Sequence, residues 1–161
     1  KTGNKPGVTK GKQWIRLNKN VELLDIRDVE PEEYLQFLDD YVKSEHKKAT
    51  IAKEENVKAK EVLSDLDAYG VIGYVLKVDG KIVGLEVGEI LGEYYYSHIE
   101  KADKSYNGVY SKLVQLVSQD LQEKVKYMNR EEDLNEPGLR RSKRGYKPIG
   151  YIEKNQVKIL D

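Results

Sequence analysis

The Asp79-Gly80 pair constrains the fold more than any other feature, because it stands between two runs of strand-forming residues. Residues 71–78 and 81–83 on either side are rich in β-branched and aromatic side chains. A two-residue loop of this composition is typical of a type I′ turn, since both of its central positions require a positive φ. The sequence therefore predicts an antiparallel hairpin in the middle of the chain.

Two more segments extend this hairpin into a sheet. Residues 83–88 alternate apolar side chains with two glycines and a glutamate, and the glycines would leave room for a second backbone or a ligand. After a turn at Gly92, residues 94–100 form a tyrosine-rich run that ends in polar residues. We therefore expect three consecutive antiparallel strands.

Helical periodicity surrounds these strands. Pro31 stands where a helix can begin, and the apolar residues that follow it fall on one helical face: Tyr34, Leu35, Leu38, Tyr41 and Val42. A second helix is indicated before Gly70 by Val57, Leu63 and Leu66, and a third after Gly108 by the apolar stripe of residues 109–121.

The remaining segments complete the order of elements. Residues 21–26 and 124–129 are predicted as strands, residues 136–145 as a short basic helix and residues 151–160 as a final strand. The predicted fold class is α+β, with a mixed, mostly antiparallel sheet flanked by helices.

Length and charge favour one domain with a leader. A chain of 161 residues with 39% hydrophobic content can bury one core. Residues 1–20 hold six basic and no acidic residues, together with several glycines, and are predicted to be a flexible basic leader before a single domain at residues 21–161. The leader is either a linker or a phosphate-contacting arm, with Trp14 as a docking point.

Composition excludes several classes of function. Lys+Arg and Asp+Glu are both 28, so no net field favours nucleic acid or a membrane. The absence of cysteine excludes disulfides and thiolate chemistry, and with two histidines we expect no metal site. No apolar run reaches the roughly 20 residues of a membrane span. We expect a cytoplasmic protein.

Two polar clusters follow predicted strands. One is residues 98–103 and the other residues 129–133. His98 and Glu100 are two residues apart on one strand, so we expect their side chains on the same face, where either could act as a base. The alternative for the first cluster is that His98 has a structural role and Glu100 is exposed to solvent. The alternative for the second cluster is that its charged residues form salt bridges that cap the end of the strand.

The segments 127–134, 137–143 and 146–148 together resemble the DUF2156 family, the domain that forms the C-terminal part of bacterial phosphatidylglycerol lysyltransferases. The resemblance covers roughly residues 71–154. It implies the GNAT (N-acetyltransferase-like) fold and direct acyl or aminoacyl transfer in a ternary complex. The implied catalytic candidates are His98, Glu100, Asn129, Arg130 and Tyr146, with Lys101, Asp103, Glu131 and Asp133 as further polar candidates.

A GNAT fold also implies a donor site between two diverging strands, here residues 94–100 and 126–130. The candidates for binding the donor phosphate are Lys104, Ser105, Tyr106, Asn107, Gly108, Arg140 and Lys143. Acetyl-CoA enzymes usually show Arg/Gln-x-x-Gly-x-Gly/Ala in this loop, whereas this chain keeps one glycine and has Tyr110 where a small residue is expected. The departure favours an aminoacyl-tRNA over orthodox acetyl-CoA, with acyl-CoA as the other candidate donor and no further cofactor.

The expected partners follow from the same resemblance. They are a small-molecule or lipid-headgroup acceptor, and a tRNA that binds the basic stretch at residues 140–147. The alternative is that this stretch is a solvent-exposed helix face that binds no ligand. Many relatives carry two such lobes in tandem, so a partner lobe or a homodimer is also expected. The alternative function is a non-catalytic GNAT-like lobe that binds a ligand or mediates dimerisation.

Overall fold

A computed structural model describes residues 13–14, 20–45, 49–131 and 137–152. The strands are β1 (Gln13–Trp14), β2 (Val21–Asp25), β3 (Ile72–Val78), β4 (Lys81–Leu91), β5 (Tyr94–Ala102), β6 (Tyr106–Asn107) and β7 (Tyr127–Asn129). The helices are α1 (Pro31–Ser44), α2 (Ala49–Ser64), α3 (Val109–Leu121) and α4 (Pro137–Gly145), with a 3-10 turn at Ile26–Asp28.

The main sheet has five strands in the order β2-β3-β4-β5-β7. Its first four strands pair antiparallel, and β5 pairs with β7 in parallel. The predicted mixed, mostly antiparallel sheet is therefore confirmed. The central hairpin is confirmed as well, because φ is 51° at Asp79 and 78° at Gly80, the positive values that a type I′ turn requires.

Helices cover both faces of the sheet. On one face, which we call the α2 face, α1 and α2 pack against β3 and β4 through a buried cluster that includes Tyr34, Leu38, Ala59, Leu63, Val75, Leu85 and Val87. On the other, the α3 face, the cluster includes Tyr74, Leu76, Tyr95, Val109, Leu113, Val117 and Leu121. Each face thus has its own apolar core, and a residue's position along a strand decides which core it meets.

Helix α2 differs from its prediction. It ends at Ser64 rather than near Gly70, and Val57 is 67% exposed although its spacing assigned it to the apolar stripe. The buried positions of α2 are Ala52, Ala59 and Leu63, so small alanines, which carry a weak hydrophobic signal, define the face that packs on the sheet.

The predicted leader and the last predicted strand lie largely outside the described residues. Within the leader, Gln13 and Trp14 form a short parallel pair with Tyr106 and Asn107. At the other end, residues 151 and 152 are not in a strand, and residues 153–161 lie outside the described ranges.

The chain forms two compact units, Lys1–Asn129 and Arg130–Asp161. The five-stranded sheet and α1 to α3 belong to the first unit, and α4 belongs to the second. Within the described ranges, no helix combines the length and the apolar composition needed to cross a bilayer.

Candidate active site

A β-bulge at His98 interrupts the pairing of β4 with β5. Val87 lies opposite Ile99, but the next residue of β4, Gly88, lies opposite Ser97, so His98 is an extra residue in β5. A bulge of this kind breaks the strict alternation of side chains and re-aims the extra one. The His98 side chain consequently lines a cavity on the α2 face together with that of Ile99.

The expectation that His98 and Glu100 share a face is wrong. Glu100 lies directly opposite Glu86, which in turn lies opposite Tyr74 in the core of the α3 face. Residues opposite each other in a ladder point to the same side of a sheet, so Glu100 is on the α3 face. Because the bulge adds one residue to β5, His98 no longer follows the alternation of side chains between the two faces. The regular alternation expected of a strand does not predict this.

Gly88 makes room for this bulge. A Cβ atom on Gly88 would lie 2.1 Å from the Tyr96 carbonyl oxygen and 2.5 Å from Cζ of Tyr95. The free space that alternating glycines predicted along β4 is therefore filled by the protein's own β5, and no ligand is needed to explain it.

The cavity beside the bulge has a volume of about 750 Å³. Its walls come from β4, β5, α2 and the segment before β3, through Val87, Glu89, His98, Ile99, Lys101, Glu54, Glu55, Lys58, Ala59, Val62, Tyr69 and Val71. A lining that combines apolar with a few charged side chains is typical of a small-molecule site.

His98 is held at the wall of this cavity by Glu89. The imidazole Nε2 lies 2.9 Å from Oε1 of Glu89, and the two side chains are 36% and 30% exposed. A carboxylate that bonds one ring nitrogen fixes the orientation of the ring and stabilises the imidazolium that forms when the ring takes up a proton. The pair can therefore act as a general base for a group bound in the cavity.

Lys101 lies on the same wall, three residues after His98. Its Nζ is 2.5 Å from Oε2 of Glu55 and 5.2 Å from the centre of the Tyr41 ring. Lys104 lies over the same ring, at 5.7 Å, and pairs with Glu45. Burial, followed by the contact with Tyr110, raises the pKa of the Tyr41 hydroxyl, so this ring stays neutral between its two ammonium neighbours.

Strand β7 pairs over its full length with the first part of β5. Three residue pairs join them, from Tyr94 with Tyr127 to Tyr96 with Asn129, whereas β5 continues to Ala102. In the part of the chain that the structure describes, no strand pairs with this edge of β5 beyond Tyr96. The open edge of β5 begins after Tyr96, two residues before His98, because β7 ends there; the divergence of the two strands stays a prediction.

The predicted phosphate loop at residues 104–108 is closed by the protein itself. The Ser105 N–H donates to Oδ1 of Asp103 at 2.9 Å, and the Tyr106 N–H donates to the Asp103 carbonyl at 3.1 Å. Residues Tyr106 and Asn107 also pair with β1. Gly108, with φ of 79°, then starts α3. The carboxylate and the carbonyl of Asp103 therefore each occupy one amide group that an anion would otherwise use.

Glu86, which the sequence analysis did not single out, is 1% exposed on the α3 face. Its Oε1 accepts a hydrogen bond from the Tyr95 hydroxyl at 3.3 Å, and burial raises the pKa of Tyr95. Glu86 stands between two glycines, which made its side of β4 look open. Glu54, Glu55 and Lys58 were also missed, because only the packing of α2 on the sheet brings them to the cavity, and Glu89 was missed because it meets His98 only through the bulge in the β4–β5 pairing.

The second unit brings four of the predicted residues together. The Arg130 guanidinium lies 4.6 Å from the centre of the Tyr146 ring. Lys143 donates to the carbonyls of Arg130 and Glu131, and φ at Glu131 is 55°. Arg140 is half-buried on α4, and Asp133 lies outside the described residues. Lys143 therefore serves the local backbone, whereas the sequence analysis assigned it to phosphate.

Comparisons with solved structures define the fold of the protein. An aminoglycoside acetyltransferase from an uncultured soil metagenomic sample, solved in complex with sisomicin, has a TM-score of 0.59 and 18% identity, over 88% of this chain and 95% of that chain. A ribosomal-protein-alanine N-acetyltransferase from Brucella melitensis biovar Abortus 2308 has a TM-score of 0.59 and 14% identity, over 87% and 98%. The chain therefore has the GNAT-like fold.

The family follows from the sequence. The model of the family described as phosphatidylglycerol lysyltransferase, C-terminal, matches residues 12–154, and the chain belongs to this family. A conserved protein of unknown function from Bacteroides thetaiotaomicron VPI-5482 is similar in structure, with a TM-score of 0.70 and 28% identity over 84% of this chain. The match spans 46% of that relative's length. No curated protein matches the sequence.

Proposed function

We propose that this domain transfers an acyl or aminoacyl group directly from a donor to an acceptor in a ternary complex, as a member of the DUF2156 type. One observation carries the proposal: the bulge in β5 turns the His98 side chain into a cavity of about 750 Å³, two residues beyond the last residue of β5 that pairs with β7. A base, an acceptor cavity and an open strand edge therefore meet along one short stretch of β5.

The proposed reaction has a single transfer step. The acceptor binds in the cavity, and its amine or hydroxyl loses a proton to Nδ1 of His98, while Nε2 keeps its bond to Glu89, as the acceptor's nitrogen or oxygen attacks the donor carbonyl. The tetrahedral intermediate collapses by breaking the bond to the donor's leaving group, which takes up a proton. Glu89 orients the imidazole and stabilises its charged form. The chain contains no cysteine, so no cysteine thiolate can form an acyl-enzyme.

The donor is proposed to be an aminoacyl-tRNA in preference to acetyl-CoA. Support comes from the loop at residues 104–108, where the Asp103 carboxylate takes the Ser105 amide and would repel a pyrophosphate. Arg140 and the neighbouring basic residues of α4 are the proposed contacts for the tRNA backbone. An aminoacyl-tRNA donor would in turn require a cytoplasmic location. The acceptor is a small molecule or a lipid headgroup.

The other predicted residues take supporting roles in this proposal. Asn129, the last residue of β7, orients the donor at the open edge. Arg130 and Tyr146, which stack on each other within the second unit, are proposed to bind part of the donor. Glu100 lies on the opposite face from His98, so we do not propose it as the base. Its proposed role is to place a negative charge beside the open edge of β5.

The test combines binding with turnover. Acetyl-CoA, longer acyl-CoAs and a set of aminoacyl-tRNAs are first compared for their effect on the melting temperature, because a ligand of the folded state raises it. The donor that binds is then used in a transfer assay with the wild type and His98→Asn. We expect turnover of the variant to fall by about 100-fold or more while the donor-induced shift is kept. Unchanged turnover would exclude His98 as the base.

A non-catalytic lobe is the second candidate function. It is favoured by the closed loop at residues 104–108 and by the match to 46% of the length of the Bacteroides thetaiotaomicron relative. In this role the domain would bind a ligand or dimerise without transfer. No melting shift with any donor, together with a concentration-dependent dimer in sedimentation, would favour this function over the first.

A further inference from the structure

Helix α2 forms one wall of the cavity but makes little apolar contact with the rest of the protein. Among its side chains that the structure describes, Ala52, Ala59 and Leu63 are buried, whereas α3 buries five side chains that are all valine or leucine. Burial of an alanine removes one methyl group from water and therefore stabilises less than burial of a valine or leucine. In the half of α2 before Ala59, the buried side chain is thus that of one alanine.

Polar contacts hold this part of α2 in place. Oδ1 of Asp39, on α1, accepts a hydrogen bond from Nδ2 of Asn56 at 2.9 Å and lies 2.6 Å from Nζ of Lys60. On the other side, Oε2 of Glu55 lies 2.5 Å from Nζ of Lys101, and both of these residues line the cavity. The Glu55–Lys101 pair therefore ties α2 to β5 at the wall of the cavity.

Opening of the Glu55–Lys101 pair would leave neither charge without a neighbour. The Glu55 side chain is 47% exposed, and ion pairs with such solvent access contribute little to stability. The Lys101 ammonium would keep its place 5.2 Å from the centre of the Tyr41 ring. Glu55 and Lys58 are three residues apart on α2, a spacing at which helical side chains can pair. The contact between α2 and β5 is therefore easily broken and easily restored.

We propose that the half of α2 before Ala59 is a lid over the cavity, with the Glu55–Lys101 pair as its latch and the packed Leu63 holding the other half in place. An open lid admits the acceptor to His98, and a closed lid excludes water from the transfer step. This role in transfer rests on the proposed function, whereas the opening of the lid does not.

Amide hydrogen exchange tests the lid without any donor or acceptor. Exchange rates are compared in the wild type, Lys101→Met and Lys104→Met. Methionine keeps most of the apolar stem of lysine and removes the charge. Lys104 is the matched control, because it lies over the same Tyr41 ring and pairs with a glutamate, Glu45, that is outside α2.

In the wild type, we expect the amides of residues 54–58 to exchange at least about tenfold faster than those of residues 113–117 in α3, because a lid opens without global unfolding. Lys101→Met should accelerate exchange at residues 54–58 by about fivefold, the factor that corresponds to about 1 kcal/mol, and Lys104→Met should leave it unchanged. Equal protection of the two segments, no acceleration in Lys101→Met, or the same acceleration in both variants overturns the proposal.

Access to the cavity gives a second readout, because the chain contains no cysteine and one introduced thiol can be followed alone. Val87 lines the cavity and Val117 packs under α3, and both are 0% exposed. With N-ethylmaleimide, the thiol of Val87→Cys should react faster than that of Val117→Cys, and about fivefold faster again when Lys101→Met is added. A Val87→Cys rate that does not depend on Lys101 overturns the lid.

The lid and the transfer mechanism can fail separately. If His98→Asn retains full turnover while Lys101→Met accelerates both exchange and thiol modification, the mechanism is wrong and the lid stands. If His98→Asn abolishes transfer and Lys101→Met changes neither rate, the base is supported and the lid is wrong.

Discussion

His98 Nε2 lies 2.9 Å from Glu89 Oε1, and this contact joins the bulged residue of β5 to a residue of β4 whose own ladder partner is Tyr96. The bulge therefore places an imidazole and a carboxylate side by side, although a regular ladder would not pair them. The first prediction concerns this contact.

Glu89→Gln should lower turnover by about tenfold, less than the loss expected for His98→Asn. Glutamine still accepts a hydrogen bond from the ring, but it does not stabilise the imidazolium with a negative charge. The measurement is steady-state transfer with saturating donor. Glu93→Gln is the control, because Glu93 also holds a cationic partner, Lys126, at an exposed position away from the cavity. Equal losses in both variants would contradict a specific role for Glu89.

Gly88→Ala should reduce the free energy of unfolding by about 1–3 kcal/mol, the range typical of an overpacked core. The new Cβ would overlap the Tyr96 carbonyl and the Tyr95 ring, so β5 would have to move at the bulge. Urea unfolding measures the change. Gly138→Ala is the control, since no atom lies within 4 Å of its added Cβ. A Gly88 variant as stable as the control would show that the bulge tolerates displacement.

The acid side of the stability curve should depend on Asp120. Its Oδ2 lies 2.9 Å from the Lys124 ammonium and accepts a hydrogen bond from the Tyr74 hydroxyl at 2.8 Å. These two partners, Lys124 first, lower the pKa of Asp120. Since the pKa is lower in the folded than in the unfolded state, the contribution to stability is present above the unfolded value of about 3.9 and is lost as the pH falls through the folded value.

Urea midpoints of the wild type and Asp120→Asn, measured at several pH values, check this prediction. The wild type should be the more stable protein near neutral pH, and the gap should close as the solution is acidified below about pH 4. Lys124→Met should show a smaller dependence than the wild type, because it lacks the largest cause of the lowered pKa. A gap of constant size at every pH would contradict the assignment.

Tyr146→Phe should keep turnover within about twofold, whereas Tyr146→Leu should lower it by about fivefold, because a cation–π contact of this exposure contributes roughly 0.5–1 kcal/mol. The ring, which lies 4.6 Å from the Arg130 guanidinium, is predicted to act by stacking. Steady-state kinetics separates the two roles. A phenylalanine variant as impaired as the leucine variant would instead assign the hydroxyl as a proton donor.

Local signals predicted the scaffold well. Asp79 and Gly80 adopt the positive φ values that their residue types favour, and Pro31 begins α1 as its missing N–H allows. Such features depend on a few neighbouring residues, so one sequence is enough to reveal them. The α+β class and the mixed sheet follow from several signals of this kind in order.

The site was less predictable because it depends on long-range pairing. The sequence indicates His98 and Lys101 as polar residues, but their shared cavity requires α2 to pack on β4 and β5. The opposite faces of His98 and Glu100 depend on a one-residue offset between β4 and β5, for which Gly88 is the only local sign. The sequence placed Glu86 on the glycine-lined side of β4, which was expected to be open, although that side is the core of the α3 face.

The bulge has a consequence for how the domain could be silenced. If His98 were deleted, Ser97 would still face Gly88 and Ile99 would still face Val87, so every other cross-strand neighbour along β5 would be retained. The sheet does not need the surplus residue; only the cavity does. An in-frame loss of this one codon should therefore leave a folded domain without its imidazole, an inert copy that cells could keep for binding alone.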